Sequence, residues 1–198
     1  MSEARLKLAE SIRTAVPSAS AALINAFATV PRERFLPPGP WKLRDSTGTW
    51  MTADADPARV YADSSIAVDA TRDLYNGQPS TIARWFDALA IGEGDRVLHI
   101  GCGSGYYSAV LAATVGADGH VTAIDVDEPL VHAARESLEE WPWVQVQHGD
   151  GTASLPHDID VVVIHAGTSH VRKEWLDSTR AGARLLVPIT VDFAAMGP

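Results

Sequence analysis

Cysteine is close to missing from this chain, with one residue, Cys102, among 198. No internal disulfide framework and no cysteine-rich metal site can be built from it, which fits a reducing compartment. In the glycine-rich setting around it, Cys102 reads as a small filler rather than a reactive thiol. Positive charge is also scarce: 16 Lys and Arg stand against 25 Asp and Glu, for a formal net charge of -9. A surface of that sign offers no general field to nucleic acid or anionic lipid, so neither is an expected partner. Long apolar runs are lacking, and the N-terminus shows no basic-then-apolar leader. The expectation is a cytoplasmic protein without membrane association. Internal repeats and low-complexity tracts are missing as well.

What is present is core-forming material. At 46% hydrophobic, the chain can bury one full core as a single structural domain. The spacing of Leu6, Leu8, Ala9 and Ile12 predicts an amphipathic helix from Glu3 to Ala15, stopped by Pro17, and a second helix covers Ser20 to Ala28. The polar, proline-bearing stretch through Pro57 is expected to hold no regular element for long. Beyond it, helices are expected at Ile82–Leu89, Pro129–Glu139 and Val171–Thr179. Strands are expected at Arg96–Ile100, Val121–Asp125, Trp143–Gln147, Ile159–His165 and Arg184–Ile189. Strands alternating with helices predict a doubly wound, mostly parallel α/β sheet. Residues 1–78 then form an N-terminal helical cap and substrate-side segment, and residues 79–198 a Rossmann-like core.

Chemistry enters at Arg96 to Tyr106, where an apolar strand runs into Gly101-Cys102-Gly103-Ser104-Gly105 and then into a helix over Tyr107–Thr114. Glycines let the backbone approach a ligand closely, and the helix start presents unpaired N–H groups. About twenty residues on, the next strand ends in Asp125, the usual place for an acid that grips ribose hydroxyls. Dinucleotide enzymes carry the third glycine one residue later. Here Tyr106 occupies that place, and the G-x-G-x-G form is the one expected of enzymes that bind S-adenosylmethionine (SAM). A nicotinamide or flavin cofactor is the competing reading, and a turn that binds nothing is the third.

Six ordered blocks resemble the protein-L-isoaspartate O-methyltransferase family over nearly the whole chain. They are Val30-Pro31-Arg32-Glu33-Arg34-Phe35-Leu36-Pro37, Tyr61-Ala62-Asp63, Gly77-Gln78-Pro79-Ser80, the glycine turn, His148-Gly149-Asp150-Gly151 and Ala181-Gly182-Ala183-Arg184-Leu185-Leu186-Val187-Pro188. The resemblance implies a SAM-dependent methyltransferase fold that esterifies an aspartate or isoaspartate type carboxyl of a peptide or protein. It places Gly101, Gly103 and Gly105 against the methionine part of SAM, Asp125 at the ribose, and Asp150 with Gly151 at the adenine edge, with Ser104 also counted as cofactor-binding. Two departures stand out. His99 occupies a position where the family carries Glu or Asp, and is expected to act as the acceptor for the cofactor's ammonium. The family's Thr-Ile-Ser-x-Pro substrate motif here reads Tyr75-Asn76-Gly77-Gln78-Pro79, so the serine hydroxyl is gone and Asn76, Gly77 and Gln78 become the substrate-side candidates. This pattern resembles a divergent branch that includes members associated with modified-peptide biosynthesis. In the family, further strands follow the last one found here, so the sheet is expected to end early.

No residue is assigned a catalytic proton transfer, because a carboxylate is already ionised near neutral pH and needs no general base to accept a methyl group. His165 and His170 read as loop histidines, since no third ligand is spaced for a metal. Trp141 and Trp143 read as packing residues, Tyr61 and Asp63 as substrate-entrance or turn residues, and Glu139-Glu140 as a solvated helix end. A methyltransferase for a small molecule and a non-catalytic SAM-binding module are the alternatives, and nothing in the sequence assigns an oligomeric state.

Overall fold

Capping sets the first two helices. In this computed structural model, which describes residues 2–190, Ser2 accepts from the Arg5 N–H at the start of α1 (Glu3–Ala15), and Ser20 accepts from the Leu23 N–H at the start of α2 (Ala21–Thr29). Leu8, Ala9 and Ile12 of α1 are buried, as are Leu23, Ile24 and Phe27 of α2, whereas Leu6, counted with the apolar face from the sequence, is exposed.

The stretch expected to stay irregular is not. Lys42–Asp45 (β1) and Gly48–Met51 (β2) form an antiparallel hairpin, and Ser65–Asp69 (β3) and Leu74–Tyr75 (β4) extend it to a four-stranded sheet ordered β2-β1-β3-β4. Each strand has five residues or fewer and β2 is wholly exposed, so alternation was too short to register. Long-range packing stabilises it instead: Leu43 of β1 lies opposite Ile66 of β3, both buried. Arg32 locks this region to the cap. Its buried guanidinium donates to the carbonyls of Val60, Ala62 and Ser64 and to Asn76 Oδ1.

Pro79 opens α3 (Pro79–Ala88), where proline costs no helical hydrogen bond, and Asp63 accepts from the Ser80 N–H. After it come the strands of the main sheet, Arg96–Ile100 (β5), His120–Asp125 (β6), Val144–His148 (β7), Ile159–Ile164 (β8) and Thr179–Leu186 (β9). They are parallel, in the order β7-β6-β5-β8-β9. Tyr106–Val115 (α4), Glu128–Ser137 (α5) and the short Lys173–Asp177 (α6) are the crossovers. All six residues of β8 are buried, as an apolar run covered on both faces requires. Strand order reverses between β5 and β8, so their carboxyl ends open a crevice, the position where ligands bind in such sheets.

Two boundaries near the end move. The helix expected from Val171 shrinks to α6, and β9 begins at Thr179 rather than Arg184, with a register shift around Gly182 at φ +83°. Arg184 holds β9 in place through both carboxylate oxygens of Asp95 and the carbonyls of Leu89 and Ala90. Among the described residues β9 is one edge of the sheet. The expected early end of the sheet falls at residues 191–198 and beyond, outside the described residues.

Candidate active site

The glycine turn and Asp125 interlock. Gly101 and Cys102 donate their N–H groups to the Ile124 carbonyl, Gly103 donates to Asp125 Oδ2 at 2.7 Å, and Asp127 donates to Asp125 Oδ1 at 2.9 Å. The carboxylate thus holds the turn open while keeping further lone pairs for a ligand. Gly103, at φ +55°, would project a Cβ into open space. It lines a cavity of about 600 Å³ that also includes Gly101, Asp125, Asp150 and Gly151. Gly105 does something else: a Cβ there would sit 2.9 Å from Leu138 Cδ1, so this third glycine lets α4 pack closely and is not in the cavity lining.

Asp150 makes an Asx turn with Thr152, its Oδ1 accepting from both the Thr152 N–H and hydroxyl, while the Gly151 carbonyl accepts from Trp175 Nε1 at 2.7 Å. Arg72, between β3 and β4, reaches over the rim to pair with Asp69 and with Asp127, the cap of α5. The Arg72 hydrogen bond is the main reason the Asp127 carboxyl lies below the usual carboxylate range. Arg72, Tyr75, His165 and Trp175 all line this cavity and were not singled out from sequence as ligand contacts.

A second cavity of about 310 Å³ adjoins the first, sharing Val68, Tyr75, Gly101, Gly103 and His165 with it. Asn76, Gly77, Ser104, Trp85 and Tyr107 complete much of its wall. Of the three substrate-side candidates, Asn76 and Gly77 are here. Gln78 is not in the lining: its Nε2 donates to Asp63 Oδ2 at 3.1 Å. The Ser104 hydroxyl is committed to the Phe35 carbonyl at 2.6 Å, so it ties the turn to the cap. Asn76 is also held from behind, its Oδ1 accepting from Arg32 and from the Ile66 N–H.

The reading of His99 as an acceptor for a cofactor's ammonium is corrected by the geometry. The ring is wholly buried, lines neither cavity, and has both nitrogens occupied: Nδ1 lies 2.8 Å from Ser108 Oγ and Nε2 lies 2.8 Å from His165 Nδ1. His165 is therefore no ordinary loop histidine. It stacks against Phe86 and contacts Trp85 and Tyr107, and burial lowers its pKa to about 4. His99 is displaced the same way, first by burial and then by its neighbour His165. Both rings are neutral at pH 7. Its place at the carboxyl end of β8 was the one sequence signal for His165.

The other residues singled out from the sequence make structural contacts. His170 is exposed and bonds Ser169. Cys102 is buried, and burial pushes its thiol pKa up, away from reactivity. Trp141 packs on Phe35, and Trp143 donates to the Ala112 carbonyl. Tyr61 is a hub in the cap, bonded to Glu33, Arg5 and the Arg32 N–H. Glu140, just past α5, pairs with Arg34.

Comparison with known proteins agrees with this arrangement. The family described as protein-L-isoaspartate(D-aspartate) O-methyltransferase matches residues 4–195. A protein-L-isoaspartate O-methyltransferase 2 of Pelobacter propionicus is 33% identical over 172 residues, covering 85% of this chain and 67% of its own length. A protein-L-isoaspartate O-methyltransferase of Aeropyrum pernix is 29% identical over 192 residues, covering 94% and 67%. A solved protein-L-isoaspartate O-methyltransferase superposes with a TM-score of 0.79 at 27% identity, over 93% of this chain and 55% of that one. The structure described as a putative Plasmodium falciparum enzyme in complex with S-adenosyl-L-homocysteine shares the fold, with a TM-score of 0.72 at 16% identity over 96% and 85%. The chain thus spans about two thirds of those two curated relatives and just over half of the first solved one. With its Rossmann-like sheet, its glycine turn locked by Asp125 and this match along almost its whole length, the chain belongs to the protein-L-isoaspartate(D-aspartate) O-methyltransferase family.

Proposed function

We propose that this chain is a SAM-dependent carboxyl O-methyltransferase that esterifies an aspartate or isoaspartate type carboxyl of a peptide or protein. The observation that carries the proposal is the pair of adjoining cavities meeting at Gly101, Gly103 and His165, one fit for a cofactor and one for an acceptor side chain. The residues of the larger cavity suit SAM. Gly103 leaves open the space a side chain would fill, Asp125 offers carboxylate lone pairs at the ribose position, and Asp150 with Gly151 lies across the floor. When bound, SAM supplies a methyl group on a sulfonium. The names of the relatives, and the S-adenosyl-L-homocysteine in the Plasmodium falciparum structure, support the same cofactor.

The protein's own task is alignment and exclusion of water. A carboxylate acceptor arrives ionised, and holding two reactants in attack geometry contributes several kcal/mol to the rate, about 7 or more in the best-oriented cases. Trp85, Tyr107 and Ile82 give the smaller cavity dry walls. No helix among the described residues is long and apolar enough to cross a membrane. A cytoplasmic location belongs to the proposal and rests on the single cysteine and the acidic composition.

Mass spectrometry of peptide pools incubated with the protein and methyl-labelled SAM tests the reading. The expected outcome is labelled ester on an aspartyl-type carboxyl within a specific partner sequence, with little turnover of unrelated isoaspartyl peptides because Gly77 supplies no hydroxyl. Robust turnover of any isoaspartyl peptide would overturn the specific-partner part. Failure to bind SAM or S-adenosyl-L-homocysteine in a calorimetric titration would overturn the whole.

A further inference from the structure

Within the protein, six buried side-chain polar atoms have no hydrogen bond among the described residues: Arg32 Nε, Tyr75 OH, Asn76 Nδ2, Tyr106 OH, His165 Nε2 and Asp160 Oδ1, the last of which is ion-paired with Arg180. Four of these, all but those of Arg32 and Asp160, belong to residues lining the smaller cavity, and Tyr75 and His165 stand where it meets the larger one. Buried polar groups are normally paired, and leaving one unpaired costs about 1 to 3 kcal/mol, so four around one cavity point to a ligand that matches them.

The sign of the match can be worked out from the proton positions. Ser108 Oγ has His99 Nδ1 as its one hydrogen-bond partner, at 2.8 Å. Were His99 to donate from Nδ1, the serine proton would be left buried with no acceptor. The pairing that satisfies every group has the Ser108 hydroxyl donating to His99 Nδ1, which puts the His99 proton on Nε2. That N–H donates across 2.8 Å to His165 Nδ1. His165, neutral, then carries its own proton on Nε2, the atom without a partner. Asn76 repeats the pattern: Arg32 and the Ile66 N–H occupy its carbonyl oxygen, which leaves its Nδ2 as a donor. Two donors fixed from behind, in a cavity without a cation in its lining, call for an anionic or strongly accepting group.

We propose that the Ser108–His99–His165 chain fixes His165 Nε2–H as a hydrogen-bond donor to the methyl-accepting carboxylate, with Asn76 Nδ2 as the second donor. This rests on the carboxyl methyltransferase reading and deepens it. Two polar groups locked as donors favour a carboxylate over an alcohol or amine, whose attacking atom needs a proton acceptor. Ser108 and His99 are positioning residues, while His165 and Asn76 touch the substrate.

The experiment is nitrogen-15 histidine NMR on the full chain with S-adenosyl-L-homocysteine, titrated with acetate, N-acetylaspartyl N-methylamide and its isoaspartyl isomer. Both His99 and His165 should be neutral Nε2–H tautomers at pH 7. Ser108→Ala should mix the His99 tautomers. The His165 Nε2–H resonance should move downfield on adding at least one carboxylate. His165→Phe should weaken that carboxylate by about tenfold or more, the low end for a hydrogen bond to a charged group, and His165→Gln should recover part of it. Binding of S-adenosyl-L-homocysteine by each variant reports that it is folded. An Nδ1–H tautomer at His165, an unchanged His99 in Ser108→Ala, or no response of His165 to any of the three carboxylates overturns the proposal. Failure of S-adenosyl-L-homocysteine to bind the unmodified chain sinks the methyltransferase reading instead, because the tautomers are also read on the chain before S-adenosyl-L-homocysteine is added.

Discussion

The two cavities meet at one glycine turn, yet they are built on opposite terms. In the larger, apart from the shared Tyr75 and His165, the polar groups named satisfy one another: Asp125 holds the Gly103 and Asp127 N–H groups, Asp127 pairs with Arg72, Asp150 closes its own turn and Trp175 donates to Gly151. In the smaller, donors are held from behind and have no hydrogen-bond partner among the described residues. A site that is complete in itself can receive a ligand through leftover lone pairs and shape. A site with unmatched donors stores an energetic cost that the right ligand removes, which favours selectivity over mere affinity.

The comparison breaks hardest at Arg32. This buried guanidinium satisfies four acceptors, of which Asn76 lines the smaller cavity and none lines the larger one. Arg32→Ala strands three carbonyls and frees Asn76, so a loss of about 3 kcal/mol or more of folding stability is expected. Denaturant unfolding measures it. A loss below 1 kcal/mol would mean that water replaces the guanidinium and that Asn76 is not held by it.

Acid should act on the smaller cavity first. His165 has its folded pKa lowered to about 4 from 6.5, and His99 is lowered too, both mainly by burial. The folded protein therefore binds fewer protons than the unfolded chain between those values. The stability from keeping His165 neutral is fully present above pH 6.5 and is lost as pH falls towards 4. His165 alone can account for up to about 3 kcal/mol of that fall. Unfolding midpoints between pH 7 and 4.5 should drop for the unmodified chain and drop less for His165→Phe; equal slopes would sink the assignment.

Asp125→Ala probes the larger cavity. SAM affinity should weaken by about 1.5 to 3 kcal/mol, the range for a hydrogen bond to a charged group. Titration calorimetry reads it directly, and an unchanged affinity would remove Asp125 from the cofactor site. Arg72→Ala should have the smallest effect. Its side chain is 46% exposed, and exposed ion pairs contribute about 1 kcal/mol or less. A tenfold loss of SAM affinity in this variant would instead assign Arg72 a direct ligand contact.

How much was legible follows from how far apart the interacting residues lie. The β5 to β6 unit, with Gly101, Gly103 and Asp125, is continuous in sequence, and its strand, turn and helix signals were enough to find it and to place Asp125 at the turn. Ser104 and Gly105 belong to the same motif. Proximity in sequence did not show that one ties down the cap and the other makes room for Leu138. The four-stranded sheet was invisible because its strands are short and draw their burial from distant partners.

By itself, the sequence determined the alternating strands and helices, the nucleotide-type turn and its acid, and the acidic, nearly cysteine-free character that sets aside disulfides and cysteine-rich metal sites. These depend on local periodicity, on glycine conformation and on composition, all carried within a few residues or by the chain as a whole. Only the tertiary structure decided that His99 lines neither cavity, that Gln78 answers to Asp63, and that His165 stands where the two cavities meet. His99 and His165 are 66 positions apart, and Arg32 and Asn76 are 44. No periodicity links such residues. Parallel pairing of β5 with β8 and burial of one guanidinium bring them together, and the protonation states that follow exist only once the chain has folded.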